Sequence, residues 1–203
     1  MKLLASLTSP YARKVRILLA EKSLSFELVV DSPWESSTQV PEINPLGKVP
    51  VLVTDEGEAF FDSPVIAGYL ETLNATPHLL PLDPLERVRV RQTEALADGL
   101  CDAAVSALLE SRRPENVRND TDIARQRSKI ERALTALEQR LGNKPWFNGA
   151  QLQLGDIAAG CALAYLDLRF ADIDWRSAHP ALAAFGARIH ARQSFIDTTP
   201  PAG

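Results

Sequence analysis

The chain has 203 residues, 45% of them hydrophobic and 24% charged, and its formal net charge is -4. This length and composition fit a soluble globular protein with one large or two small domains. The acidic balance argues against nucleic acid or an anionic membrane as the main partner, and the sequence shows neither a signal peptide nor an apolar stretch of membrane-spanning length, so we expect a cytoplasmic protein.

The first helix is predicted directly after a short apolar run at residues 3–5. Ser9-Pro10 has the residue types preferred at a helix N-cap and at the first helical position. The apolar face of this helix holds Val15, Leu18 and Leu19. We expect its charged side chains to be mostly solvated; they are Arg13, Lys14, Arg16, Glu21 and Lys22.

Three further strands and a second helix complete a compact α/β unit. Residues 26–30 and 49–53 have strand composition, the turn at residues 55–58 leads to a return strand at 59–61, and residues 31–47 have loop composition with room for one short helix. Ser63-Pro64 predicts a second helix, with Ser63 at the N-cap. Its predicted inward side chains are Val65, Ile66, Tyr69, Leu70 and Leu73.

The pattern then becomes helical throughout. Pro77, Pro81 and Pro84 mark a boundary, so we predict an α/β domain at 1–76, a linker at 77–83 and an all-helical domain at 84–203. Long helices are predicted for residues 84–111, 120–141, 156–169 and 180–191. Cys101 and Cys161 lie in apolar helical sequence, which favours buried thiols over a disulfide.

Pro50 is unusual because it stands between two valines at the start of an apolar strand, where it removes a backbone donor. A cis Val49–Pro50 bond at a turn would leave the Val49 backbone facing outward, free to pair with an extended peptide. Ser9 and Ser63 then have two interpretations each: a helix cap, or a hydroxyl beside a helix N-terminus that binds an anion. Asp62 could accept an ammonium group.

A thiolate is one anion that Ser9 could stabilise. A free thiol has a pKa near ~8.5. Lowering this pKa by about two units requires roughly 2.7 kcal/mol. One charge-assisted hydrogen bond of about 1.5–3 kcal/mol and a helix-dipole contribution of about 0.3–1 kcal/mol are sufficient. Together, a thiolate site, a pairing strand and a clamp for a zwitterion match the tripeptide γ-Glu-Cys-Gly.

These elements resemble the glutathione S-transferase family over essentially the whole chain, most closely the small bacterial proteins near the theta, beta and omega classes. The motifs that carry the resemblance are Thr8-Ser9-Pro10-Tyr11-Ala12-Arg13-Lys14-Val15-Arg16, Asn44-Pro45-Leu46-Gly47-Lys48-Val49-Pro50-Val51-Leu52 and Asp62-Ser63-Pro64. The resemblance implies a thioredoxin-like domain, an all-helical domain and a cytoplasmic homodimer. It also implies glutathione as co-substrate, no metal, and a role in detoxification.

The resemblance also assigns glutathione-binding residues. Val49 would pair with the cysteine of glutathione, cis-Pro50 would hold it there, and Asp62 and Ser63 would bind the γ-glutamyl end. Lys48 would face the glycine carboxylate, or be a solvated loop lysine.

The catalytic hydroxyl and the electrophile pocket are assigned in the same way. Ser9 would activate the thiol, with Thr8 as the alternative hydroxyl. Tyr11, Trp34 and Asp98 are candidates for the electrophile pocket, although Trp34 could equally be a packing residue and Asp98 a helix-surface carboxylate. Asp156 matches a family motif that supports the start of a buried helix; the family usually has Ser or Thr where this chain has Gln153.

Three functions follow. The first is a glutathione transferase that acts on a small electrophile. The second is a glutathione-dependent thiol-disulfide reductase or peroxidase, which is disfavoured because Ser9 occupies the position of the cysteine in omega and beta members. The third is a non-catalytic stress-response protein that binds a partner, which is disfavoured by the intact Val49-Pro50 and Asp62-Ser63 elements.

Overall fold

The computed structural model describes residues 1–73 and 76–201. Residues 74–75 and 202–203, which the predicted domain limits include, lie outside the described residues. The chain divides into two compact units, one formed by Met1–Leu80 with Arg192–Gly203 and the other by Pro81–Ala191. The segment after Ala191 therefore belongs to the first unit, whereas the sequence prediction assigned it to the helical domain.

A four-stranded mixed sheet organises the first unit. Its strands are β1 (Lys2–Ala5), β2 (Glu27–Val30), β3 (Val51–Val53) and β4 (Ala59–Phe60). They lie in the order β2-β1-β3-β4; β1 and β2 are parallel, and the other two pairs are antiparallel. With helices α1 (Pro10–Glu21), α2 (Val40–Ile43) and α3 (Ser63–Thr72), they confirm the predicted thioredoxin-like order.

The strand register brings three connections to one end of this sheet. Leu4 near the end of β1 lies opposite Val51 at the start of β3, and Leu52 lies opposite Phe60 at the end of β4. The segments that leave β1, enter β3 and leave β4 therefore share one edge. Because α1 and α3 follow β1 and β4, both helices begin at that edge.

The prediction that the cations of α1 are solvated was wrong for three of them. Arg13, Lys14 and Lys22 are only 7%, 1% and 3% exposed. Arg13 donates to the carbonyl of Phe195 at 3.0 Å, and its guanidinium lies 5.5 Å from the centre of the Phe195 ring. Lys22 pairs with Glu71 at 2.8 Å. Partners supplied by other parts of the chain allow these charges to be buried.

The segment after Ala191 holds one of these partners against α1. Its short helix α9 (Gln193–Ile196) follows Arg192, which forms two hydrogen bonds with Glu21 at 2.9 and 2.7 Å. Ser194 donates a third to Glu21, at 2.5 Å. These contacts explain why the end of the chain belongs to the first unit.

The second unit is helical, as predicted. It contains α4 (Pro84–Ser111), a 3₁₀ turn (Glu115–Val117), α5 (Asp120–Leu141), α6 (Leu154–Arg169), α7 (Trp175–Ala178) and α8 (Pro180–His190). Helix α4 packs along both α5 and α6. Cys101 and Cys161 are buried thiols, as the sequence predicted. Among the described residues, no helix combines the length and the apolar character needed to cross a membrane.

Asp156 supports the start of the buried helix α6. Its carboxylate accepts the backbone N–H groups of Phe147 and Gln153, both at 2.8 Å. The side-chain oxygen of Gln153 has no hydrogen-bond partner within the described part of the chain, so the aspartate bears the capping role. Burial raises the pKa of Asp156 to about 6, against the lowering effect of these backbone hydrogen bonds.

Candidate functional site

Ser9 is the N-cap of α1, as predicted. Its backbone is extended (φ -73°, ψ 123°), and its Oγ accepts the backbone N–H of Ala12 at 3.2 Å. This bond uses the hydroxyl oxygen as an acceptor, and the hydroxyl hydrogen can still be donated to a ligand. The two interpretations of Ser9, cap and anion ligand, are therefore compatible.

The neighbouring hydroxyl of Thr8 lies in the loop between β1 and α1. Its Oγ1 is 3.4 Å from the Oγ of Ser6, and the backbone N–H of Ser9 donates to the Ser6 carbonyl at 3.1 Å. Thr8 thus lies one residue outside the helix cap. Tyr11, in the first turn of α1, is partly exposed.

The Val49–Pro50 bond is cis, as predicted. Strand β3 begins at Val51, two residues later than predicted, and Pro50 lies directly before it. Pro50 is buried, Val49 is partly exposed and Lys48 is exposed. The residue without a backbone donor is thus outside the paired strand.

Helix α3 begins one residue earlier than the sequence indicated. Asp62 occupies the N-cap and Ser63 is the first helical residue, so the expectation that Ser63 caps the helix was wrong. The extended backbone of Asp62 (φ -89°, ψ -165°) decides this, and its side chain makes no capping hydrogen bond. Asp62 is exposed and Ser63 is buried.

The sheet register arranges these residues in a row. Because β3 lies between β1 and β4, the Val49-Pro50 segment lies between the start of α1 at Ser9 and the start of α3 at Asp62-Ser63. Each end of the row has one helix N-terminus, which favours negative charge there. A backbone segment before a strand suits an extended peptide between them. This edge can hold a short peptide that carries anionic groups.

The two remaining predicted pocket residues, Trp34 and Asp98, lie in different units of the chain. Trp34 is 70% exposed in the loop after β2. That loop starts at the same sheet end, because β2 runs parallel to β1 and the N–H of Asp31 donates to the Ala5 carbonyl at 3.0 Å. Asp98 is on α4 in the second unit and is partly exposed, and the sheet register does not place it in the row.

One buried residue near the row was not predicted as functional. Asn44 lies before the turn at Gly47, and its side chain forms hydrogen bonds with the backbone of Leu46 and Lys48, on either side of that glycine. The sequence offered a signal, because Asn in an Asn-Pro-x-Gly segment is a common turn residue. From the sequence alone, however, such a residue is recognised only as part of a local turn, and not as part of a binding site.

Comparison with known proteins gives consistent results. Residues 8–73 match the family model described as glutathione S-transferase, N-terminal domain, and residues 120–187 match the model for the C-terminal domain. An uncharacterized GST-like protein of Escherichia coli strain K12, YibF, is 44% identical over 201 residues, with 99% of each chain covered. Maleylacetoacetate isomerase of Pseudomonas aeruginosa is 34% identical over 170 residues, with 77% of each covered.

Two solved structures are also similar to this chain. A glutathione S-transferase of Methylobacterium radiotolerans in complex with glutathione sulfonate has a TM-score of 0.95 and 46% identity, covering 100% of this chain and 95% of the other. A glutathione S-transferase of Methylobacillus flagellatus with bound glutathione has a TM-score of 0.95 and 44% identity, covering 98% of each.

Proposed function

Because the chain belongs to the glutathione S-transferase family, we propose that it binds glutathione along the shared sheet edge and activates the thiol for attack on a small electrophile. The observation that carries this proposal is the row formed by Ser9, Val49-Pro50 and Asp62-Ser63 at one end of the sheet. The glutathione bound in the similar structures supports it.

Each part of the row suits one part of the tripeptide. Asp62 and Ser63, with the N-terminus of α3, bind the ammonium and carboxylate of the γ-glutamyl residue. The Val49 backbone pairs with the central cysteine residue, and Lys48, which is exposed, faces the glycine carboxylate.

The reaction needs no covalent intermediate with the protein. The bound thiol loses its proton to solvent, and the Ser9 hydroxyl donates a hydrogen bond to the thiolate. The thiolate then attacks an electrophilic carbon of the second substrate, the new S–C bond forms, and a leaving group such as chloride departs with its electron pair. The protein contributes binding, a lowered thiol pKa and proximity. We assign this activity to detoxification in the cytoplasm. Tyr11 and Trp34 are candidate contacts of the electrophile, and Asp98 is a further candidate.

A homodimer is part of this proposal. Three apolar side chains are exposed around the start of α4: Leu82, which precedes the helix, at 84%, and Leu85 and Val88 within it, at 58% and 61%. Exposed apolar side chains grouped on one helix end suit a protein partner, and a second copy of the chain is the partner that the family implies. Light scattering should give twice the chain mass for the wild type and a lower mass for Leu85→Glu.

The central experiment compares Ser9→Ala with the wild type. Calorimetry measures the affinity for glutathione, ultraviolet absorbance of the thiolate measures the pKa of the bound thiol, and conjugation of 1-chloro-2,4-dinitrobenzene measures turnover. We expect binding in both proteins. Loss of one hydrogen bond to the thiolate, about 1.5–3 kcal/mol, should raise the thiol pKa by about one to two units and lower turnover by about 10- to 100-fold.

Asn119→Ala is the matched control, because Asn119 caps α5 through the same kind of bond, from Asp122 N–H to its side chain at 3.1 Å. Both substitutions should cost about 1 kcal/mol of stability, and only Ser9→Ala should change the thiol pKa. Unchanged turnover in Ser9→Ala would move the role to Thr8, Tyr11 or the backbone. A wild type that does not bind glutathione would contradict the transferase and the reductase alternatives together, leaving the non-catalytic partner-binding function.

A further inference from the structure

Asn44 forms backbone and side-chain hydrogen bonds within the turn that precedes Val49. It is 2% exposed. Its backbone N–H donates to the Val40 carbonyl and its backbone carbonyl accepts the Gly47 N–H, both at 2.8 Å. In the side chain, Oδ1 accepts the Leu46 N–H at 3.0 Å and Nδ2 donates to the Lys48 carbonyl at 2.8 Å. One buried amide thus fixes the turn at both ends.

The bond to Lys48 has a stereochemical consequence. The Lys48 carbonyl and the Val49 N–H belong to the same peptide group, and this peptide is trans. In a trans peptide the carbonyl and the N–H point in opposite directions. Since the Asn44 amide holds the Lys48 carbonyl on its own side of this peptide, the Val49 N–H is directed away from Asn44.

The turn itself is built for this arrangement. Gly47 has a φ of +60°, in the left-handed region where other residues are strained, and it allows the chain to reverse between Asn44 and Lys48. The side-chain amide is the group in this turn that can both accept from Leu46 and donate to Lys48. An isosteric carboxylate could accept from Leu46 but would face the Lys48 carbonyl with an oxygen.

We propose that Asn44 is a positioning residue for glutathione, which aims the Val49 N–H by holding the Lys48 carbonyl. This inference rests on the proposed function, since it gives Val49 the role of pairing with the tripeptide. Asn44 does not itself contact the reacting atoms. Its effect is therefore expected on binding of glutathione and not on the chemical step.

Thr54 provides a matched control at the opposite end of β3. It is also buried, and its Oγ1 accepts the Glu58 N–H at 3.2 Å in the β3–β4 turn. Thr54→Ala removes a side-chain-to-backbone bond from the turn that follows β3, as Asn44→Asp does from the turn that precedes it. The two substitutions should lower the melting temperature to a similar degree, and only the Asn44 variant alters the segment before Pro50.

The test combines two readouts on wild type, Asn44→Asp, Asn44→Ala and Thr54→Ala. The dissociation constant for glutathione should rise at least about tenfold in both Asn44 variants, with kcat at saturating substrates within about twofold of wild type. Thr54→Ala should leave this constant within about twofold. Hydrogen exchange of the unliganded proteins should be at least about tenfold faster between residues 46 and 49 in the Asn44 variants alone.

Each outcome has a defined meaning. Unchanged glutathione affinity in folded Asn44 variants, or an equal loss in Thr54→Ala, would overturn the positioning role. Failure of both Asn44 variants to fold would assign Asn44 a general structural role and would also overturn it. If the wild type binds no glutathione, the proposed function fails while the exchange experiment still decides whether Asn44 holds the Val49 segment.

Discussion

Asp156 should give the protein a pH-dependent stability that one isosteric substitution, Asp156→Asn, can reveal. The carboxyl group is 1% exposed at the start of α6. Burial raises its pKa to about 6, although the backbone bonds from Phe147 and Gln153 lower it. In an unfolded chain the same group titrates near ~3.9. Between these two values the folded protein holds a proton that the unfolded chain has released.

The sign of the effect follows from this difference. The contribution of Asp156 to the free energy of unfolding is greatest below pH ~4, falls as the pH rises through ~4 to 6, and is constant above that range. A shift of about two pKa units corresponds to about 2–3 kcal/mol. Asparagine does not titrate. The stability advantage of the wild type over Asp156→Asn should therefore shrink by about 2–3 kcal/mol between pH 4 and pH 7.

Urea unfolding followed by circular dichroism, at one protein concentration and at pH 4, 5, 6, 7 and 8, measures this difference. Asp174→Asn is the control with the opposite sign. Asp174 is the exposed N-cap of α7, and hydrogen bonds from Ser177 hold its pKa below the ordinary value. The wild-type advantage over that variant should grow as the pH rises. An advantage over Asp156→Asn that stays constant or grows with pH would refute the reasoning.

Two other substitutions test packing and the C-terminal contact. Gly155→Ala should lower the free energy of unfolding by about 1–3 kcal/mol, because the new Cβ would lie 2.8 Å from the Cβ of Thr93. Gly99→Ala, whose Cβ would meet nothing within 4 Å, should raise the free energy of unfolding by up to about 1 kcal/mol in the same assay. A double-mutant cycle of Glu21→Gln and Arg192→Met should give a coupling of about 1 kcal/mol at pH 7, because Arg192 is partly solvated. Burial raises the pKa of Glu21, but hydrogen bonds from Arg192 bring it below the ordinary value. The coupling should therefore persist above pH ~4.5 and disappear as the pH falls below that value. A coupling that is unchanged at pH 3 would contradict this pairing.

Features set by neighbouring residues were predictable from the sequence. The cis bond before Pro50 and the cap at Ser9 depend on local backbone preferences, and the supporting role of Asp156 was implied by a short family motif. At Asp62-Ser63 local preference was insufficient, since both residues are good N-caps and only the backbone angles at Asp62 choose between them.

Features that depend on distant partners were not predictable. The charged pattern of α1 indicates a solvated face, but Phe195 and Glu71 supply partners for the buried cations of Arg13 and Lys22. Helix α9 spans four residues, which is too short for a periodic apolar pattern to appear. Asn44 was recognisable as a turn residue, but its bond to Lys48 was not, because the sequence does not show which backbone groups the side-chain amide meets.

The return of the chain end to α1 has a consequence for biosynthesis. A ribosome releases residues in order, and N-terminal domains commonly fold before the rest of the chain is made. Here the acceptor of Arg13 and the cation that pairs with Glu21 are both encoded after position 190. The half that binds glutathione in our proposal is therefore finished last. A nascent chain or a fragment ending at residue 80 would lack both the Phe195 carbonyl that accepts from Arg13 and the Arg192 guanidinium that pairs with Glu21 on the helix after Ser9.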